Sequence, residues 1–144
     1  MKVISILEPW ASLIKENIKC IETRSWKTNY RGELYIHASQ RKLTQNDTIR
    51  YTEILSLLQD THFQYGCIIA KCKLADCKMM TPEWIETVKQ NPNEYQSGEY
   101  KVGRYAWFLE DIEALETPIP AKGSLGIWNY DENMIIKDKK DKSI

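Results

Sequence analysis

The sequence predicts one mixed α+β domain, a small β-barrel with helices packed around it. Two observations point there. Short runs of branched and aromatic residues with strand character alternate with short segments of helical spacing, so helices fall in the crossings between strands. A chain of 144 residues with 42% hydrophobic content also suits a single core, which hides about two-thirds of the surface that the unfolded chain exposes. The domain is expected over residues 1–130. Residues 131–144 turn rich in lysine and aspartate without periodicity, which predicts a mobile charged tail.

Val3 to Leu7 is apolar and reads as the first strand. Pro9 suits the start of a helix that sets Trp10, Leu13 and Ile14 on one face and ends near Asn17. A second strand is expected from about Cys20 to Ser25. Glu33 to Ala38 alternates Leu34 and Ile36 against Tyr35 and His37, the period of a half-buried strand, so His37 is read as a packed strand residue and His62 as a loop residue. The longest helix is expected from Thr44 or Asp47 to Asp60, with Tyr51, Ile54, Leu55 and Leu58 at helical spacing, covering one end of the barrel. Gly66 to Leu74 reads as a central strand. Thr81 followed by Pro82 starts a helix carrying Trp84, Ile85 and Val88, stopped near Pro92. Asn93 to Gly103 is polar and irregular, a candidate mobile loop at the mouth of a pocket. Tyr105 to Leu109 and Leu125 to Tyr130 are the last strands, joined by a turn region holding Pro118, Pro120 and Gly123.

The densest chemistry lies in NIKCIETRSW, Asn17 to Trp26, which gathers Lys19, Glu22 and Arg24 at the start of a strand. Alternation sets Glu22 and Arg24 on one face, and Lys19 joins them only from just before the strand or from a bulge. A structural Glu22–Arg24 pair and a ligand-facing triad are both compatible with this spacing. The zero formal net charge conceals an asymmetry. Between Ala11 and Lys42 seven basic residues face three acids, while between Asp76 and Glu116 nine acids face four bases. The basic stretch also carries Trp10, Trp26, Tyr30 and Tyr35, a mixture in which cations track phosphates and aromatic faces stack bases. Core packing of Trp10 and Tyr35 is the alternative.

The four cysteines include no C-x-x-C pair, and Cys67, Cys72 and Cys77 fall five apart, which in a regular strand alternates faces. Buried reduced thiols are therefore expected, with no zinc site, disulfide framework or cofactor. The apolar run Val3 to Leu7 is far too short for a signal-peptide core or a membrane span, so a cytoplasmic protein without membrane contact is expected.

The motif and its surroundings resemble the ASCH family, the activating signal cointegrator homology domains, whose pattern is Gly-x-Lys-x-x-Glu-x-Arg. Lys19, Glu22 and Arg24 match it, and Asn17 stands at the glycine. The resemblance extends through SILEPWASLI, SWKTNYRGELYIHAS, YAWFLED and PIPAKGSLGIW, about residues 2 to 130, and is closest to the cointegrator-like branch. It implies the PUA-like form of the barrel and a cleft built from Lys19, Glu22 and Arg24, with Trp10 or Trp26 as a wall and Lys122 at the rim. A carboxylate, a guanidinium and an aromatic face together suit a nucleobase. The family's expected role in RNA metabolism implies a binding module for RNA or a modified nucleoside or nucleotide. Some small members deacetylate acetylated cytidine with the motif lysine and a threonine where this chain has Glu22. An amidohydrolase using Lys19 and Glu22 is thus the alternative, and a ribonuclease ranks below it.

Overall fold

The computed structural model describes residues 1–131; the predicted tail lies otherwise outside them. Six strands form one sheet: β1 (Lys2–Ile6), β2 (Ile21–Arg24), β3 (Gly32–Ala38), β4 (Cys67–Met79), β5 (Tyr105–Pro120) and β6 (Ile127–Asn129). Their order is β2-β5-β4-β3-β1-β6, with β1 and β3 parallel and the other neighbours antiparallel. The sheet curls into a half-barrel. Met1, before β1, and Tyr130, after β6, are bonded to each other: the Met1 amine donates to the Tyr130 carbonyl (3.0 Å), and the Tyr130 N–H donates to the Met1 carbonyl (2.8 Å).

Helix α1 (Trp10–Lys15) fills the curl. Its spacing predicts an amphipathic helix, yet Ala11, Ser12, Leu13 and Ile14 are all buried. Ser12 is tolerated because the buried Glu8 carboxylate accepts both its N–H (2.8 Å) and its hydroxyl (2.6 Å). Ala11 and Ile14 join Ile4, Ile36, Leu74 and Trp107 in the main core.

The expected long helix divides into α2 (Gln45–Arg50), α3 (Thr52–Leu55) and a 3₁₀ turn, Ser56–Leu58. Thr44 and Asp47 form a capping box that starts α2. The Thr48 and Thr52 hydroxyls then bond back to the carbonyls of Thr44 and Thr48, and Tyr51 leaves helical geometry at φ −108°, ψ 28°. Such back-bonding bends helices, a cost that hydrophobic spacing does not register. Ile54 and Leu58 nevertheless pack on Leu13, as the spacing requires.

Helix α4 (Pro82–Val88) starts where expected, with the Thr81 hydroxyl accepting the Trp84 N–H (3.2 Å). The segment beyond it is more ordered than its polarity implies. It contains α5 (Pro92–Gln96), capped by Asn91, and buries Glu94 and Ser97. Strand β5 also runs straight through Pro118 and Pro120, where a turn was expected. Ala121 donates to the Gly66 carbonyl (2.9 Å), so by alternation both proline nitrogens face the opposite edge, which β2 pairs only from Tyr105 to Phe108.

Strand β3 is buried on both faces toward its end. His37 is fully buried beside a bulge at Ile36/His37. Its Nε2–H donates to the Ala121 carbonyl (2.7 Å), while Nδ1 accepts from the Ser5 hydroxyl (2.9 Å), which in turn accepts from Trp128 Nε1 (3.0 Å). Gly123 belongs to this cluster, since a Cβ there would lie 2.8 Å from Ser5 Oγ and 3.0 Å from His37 Cε1.

Candidate binding cleft

The site begins at the end of α1. Asn17 adopts φ +61°, the left-handed conformation in which asparagine best replaces the family glycine, and its N–H bonds the Ile14 carbonyl (2.9 Å). The N–H groups of Ile18 and Lys19 both return to the Leu13 carbonyl, so the chain reverses tightly into β2. Lys19 therefore precedes the strand, one of the two arrangements that the charge spacing requires.

Its side chain is wholly buried, with Nζ donating to the Ile21 carbonyl. Burial pushes its pKa down from the ordinary lysine value, while Glu22 and Glu94 pull it back up. Glu22 and Arg24 share a face of β2, opposite Trp107 and Tyr105 of β5. Arg24 Nη2 donates to Glu22 Oε2 (3.2 Å) and to the Ser5 carbonyl (3.1 Å), and Glu22 Oε1 accepts the Thr23 N–H (3.0 Å). Thr23 serves the other face, where its hydroxyl accepts the Glu99 N–H (3.1 Å).

Glu22 and Arg24 open onto a cleft of about 680 Å³. Trp10 forms part of its wall, edge-on to Tyr51 with centroids 4.9 Å apart. The other residues singled out in the sequence lie elsewhere. Lys19 sits beneath the strand, Trp26 packs edge-on against Trp107 (4.8 Å), and Lys122 is exposed on the turn after β5; none of the three lines the cleft. The cleft is completed by Arg50 and Tyr51 and by the stretch from Gln96 to Arg104. Sequence periodicity marks Tyr51 only as a helix-packing residue and Arg50 not at all, although the polarity of 93–103 flags that segment. Gly98 lets it close on β2, because a Cβ there would lie 2.8 Å from Tyr100 and 3.0 Å from Thr23.

Behind the cleft, Glu94 reaches the motif from α5. Its Oε1 accepts from the Cys20 N–H (2.8 Å) and thiol (3.1 Å), whereas its Oε2 and the Tyr100 hydroxyl are buried without a partner among the described residues. Burial and the Glu94 carboxylate push the Cys20 thiol up to about 11, and Cys20 is exposed as a residue rather than buried as expected. Among the described residues, no cluster of three His, Cys, Asp or Glu side chains is placed to hold a metal ion, and no helix is long and apolar enough to cross a membrane.

A half-barrel of this topology, with a charged strand pair beside the buried helix, is the architecture of the PUA-like domains. The chain belongs to the ASCH domain family, whose sequence profile matches residues 4–119. It is 26% identical over 137 residues to human activating signal cointegrator 1 and 25% identical to the mouse protein, covering 91% of this chain. It spans only 22% of the length of each of these relatives. A crystal structure of an ASCH protein from Zymomonas mobilis superposes with a TM-score of 0.58 over 99% of this chain and 94% of that one, at 15% identity, a likeness of fold.

Proposed function

We propose that this chain binds RNA, or a modified nucleoside or nucleotide, in the cleft beside β2. The observation that carries the reading is the half-buried Glu22–Arg24 pair facing about 680 Å³ of open space next to the Trp10 ring. That volume lies within the range of small-molecule sites, roughly 300 to 1,000 Å³. Among the described residues Arg24 engages protein acceptors through Nη2 only, which leaves its remaining N–H groups for carbonyl and ring-nitrogen acceptors, with the ring of Trp10 available for stacking.

Titration of short single-stranded RNA tests the reading. With about four phosphates contacted, affinity falls about fifty-fold between 50 and 200 mM salt. Trp10→Ala weakens binding by about 1 to 3 kcal/mol if the ring stacks a base. An absence of binding to RNA and to nucleosides at low salt would remove this function.

The depressed pKa of Lys19 favours a second reading, an amidohydrolase acting on acetylated cytidine, with Lys19 and Glu22 as the reacting pair. Against it stand the bond from Nζ to the Ile21 carbonyl and the absence of Lys19 from the cleft wall. Turnover of acetylated cytidine by the natural chain, abolished in Lys19→Arg, would replace the binding function with catalysis.

A further inference from the structure

A second hollow of about 150 Å³ adjoins the cleft, and Leu7, Trp10, Arg50 and Tyr51 line both. Its other walls include Glu8, Asp47, Arg41 and Lys42. It is the smaller of the two hollows and has room for one tetrahedral oxyanion.

The two hollows differ in how their cations are matched. In the cleft, Arg24 is paired with Glu22, and Lys101 and Arg104 share Glu99 (3.4 and 3.5 Å), while Arg50, common to both hollows, stands outside these pairs. In the second hollow none of Arg41, Lys42 and Arg50 belongs to a salt bridge among the described residues. The two carboxylates there are already engaged. Both Glu8 oxygens accept from Ser12, and burial pushes the Glu8 pKa up against these bonds. Asp47 Oδ2 accepts the Thr44 N–H (2.9 Å) in the capping box, and the charges of Arg41 and Arg50 act on it from beyond salt-bridge distance. Arg50 lies over the Tyr51 ring, 5.4 Å from its centroid, at the boundary between the hollows.

In the cleft the Glu22–Arg24 pair sets an acceptor beside a donor, an arrangement that suits a base. Cations outside close ion pairs around a small hollow suit a phosphate. We infer that the hollow bounded by Arg41, Lys42 and Arg50 is a phosphate site, and that the ligand of this chain is phosphorylated, with its base in the Glu22–Arg24 cleft. The inference rests on the proposed binding of a nucleoside or nucleic acid in that cleft and assigns its chemical class. The phosphate is either the monoester of a free nucleotide or the diester of a strand.

Calorimetric titration of the four ribonucleosides, their 5′-monophosphates and the matching dinucleotides tests it, with backbone amide NMR under added inorganic phosphate as an independent probe. The monophosphates or the dinucleotides bind about tenfold or more tighter than the nucleosides. Preference for the monophosphate identifies a nucleotide ligand, and preference for the dinucleotide identifies a strand. The triple change Arg41→Gln, Lys42→Gln and Arg50→Gln removes this advantage, read as the ratio of phosphorylated to nucleoside affinity within the same variant because Arg50 also lines the cleft. Inorganic phosphate shifts the amides of Arg41 to Leu43 and of Tyr51 in the natural chain and not in the triple variant.

Equal affinity for nucleosides and their phosphorylated forms overturns the phosphate site and leaves the cleft reading standing. So does a phosphate advantage that survives the triple change. Phosphate shifts at residues 41–43 without any nucleoside or nucleotide binding keep the anion site and remove the cleft reading. Silence in every titration removes both.

Discussion

The Glu22–Arg24 pair is neither fully exposed nor sealed. The side chains retain 9% and 25% of their surface. Arg24→Met leaves the buried Glu22 carboxylate with only the Thr23 N–H as donor, and should cost about 2 kcal/mol in thermal or urea unfolding, below the range for a sealed pair because Arg24 itself is partly exposed. Wild-type stability in Arg24→Met and in Glu22→Gln alike would mean that the pair contributes nothing to the fold. His37 gives a second test, with a sign set by burial. Its pKa is depressed from 6.5, chiefly by desolvation and against its bond to the Ala121 carbonyl, so the unfolded chain takes up the proton first as pH falls. Stability is therefore full above pH 6.5 and declines below it. Melts across that range should show the decline in the natural chain and not in His37→Gln, which is less stable at neutral pH because Ser5 and Ala121 lose their partner. Residue identities make the charged pair legible in the sequence, because a two-residue spacing in a strand has one geometric outcome. Arg50 and Tyr51 are not legible as site residues, since only the packing of α3 on Leu13 brings α2 to the cleft.

Elements are most legible in the sequence where a local signal starts them. Thr81–Pro82 and Pro9 mark helix starts that the fold keeps, and Asn17 turns the chain as asparagine can. The failures lie where long-range pairing overrides local pattern. Strand β4 carries an extra residue between Leu74 and Asp76, where two of its steps meet one of β5, and this reverses the facing of the residues beyond it. Cys72 and Cys77, expected on opposite faces, thus both reach the main core, with Cys67 half-buried against it. Burial raises the Cys72 thiol from 9.0 to about 12. The unfolded chain gives up that proton first, so the stability it contributes is intact below pH 9.0 and is lost as pH rises toward 12. The slope approaches about 1.4 kcal/mol per pH unit within that window. Urea unfolding of Cys72→Ala should show a correspondingly flatter decline than the natural chain, while an unchanged slope would place the alkaline loss in other groups.

At the scale of the molecule, the α+β class is legible from the alternation of strands and helices, whereas the site's charge balance is not. The basic stretch from Ala11 to Lys42 suggests one cationic surface, but Lys19 is buried, Arg24 is paired with Glu22, and Arg31 donates to the Thr28 and Tyr30 carbonyls and to Asp76 (3.4 Å). Only the tertiary arrangement separates spent cations from those at the second hollow. The sheet also decides how such a domain can be carried in a longer polypeptide. The reciprocal bonds between Met1 and Tyr130 put entry and exit side by side, so the domain can be spliced into a host loop without stretching either junction. Rejoining these ends through a short glycine-serine linker and reopening the chain between Asp60 and Gln64, outside every strand, should give a circular permutant with the natural far-UV spectrum and a cooperative melt. A permutant that stays unfolded would show that chain order, and not only the closed geometry, is needed to assemble the half-barrel.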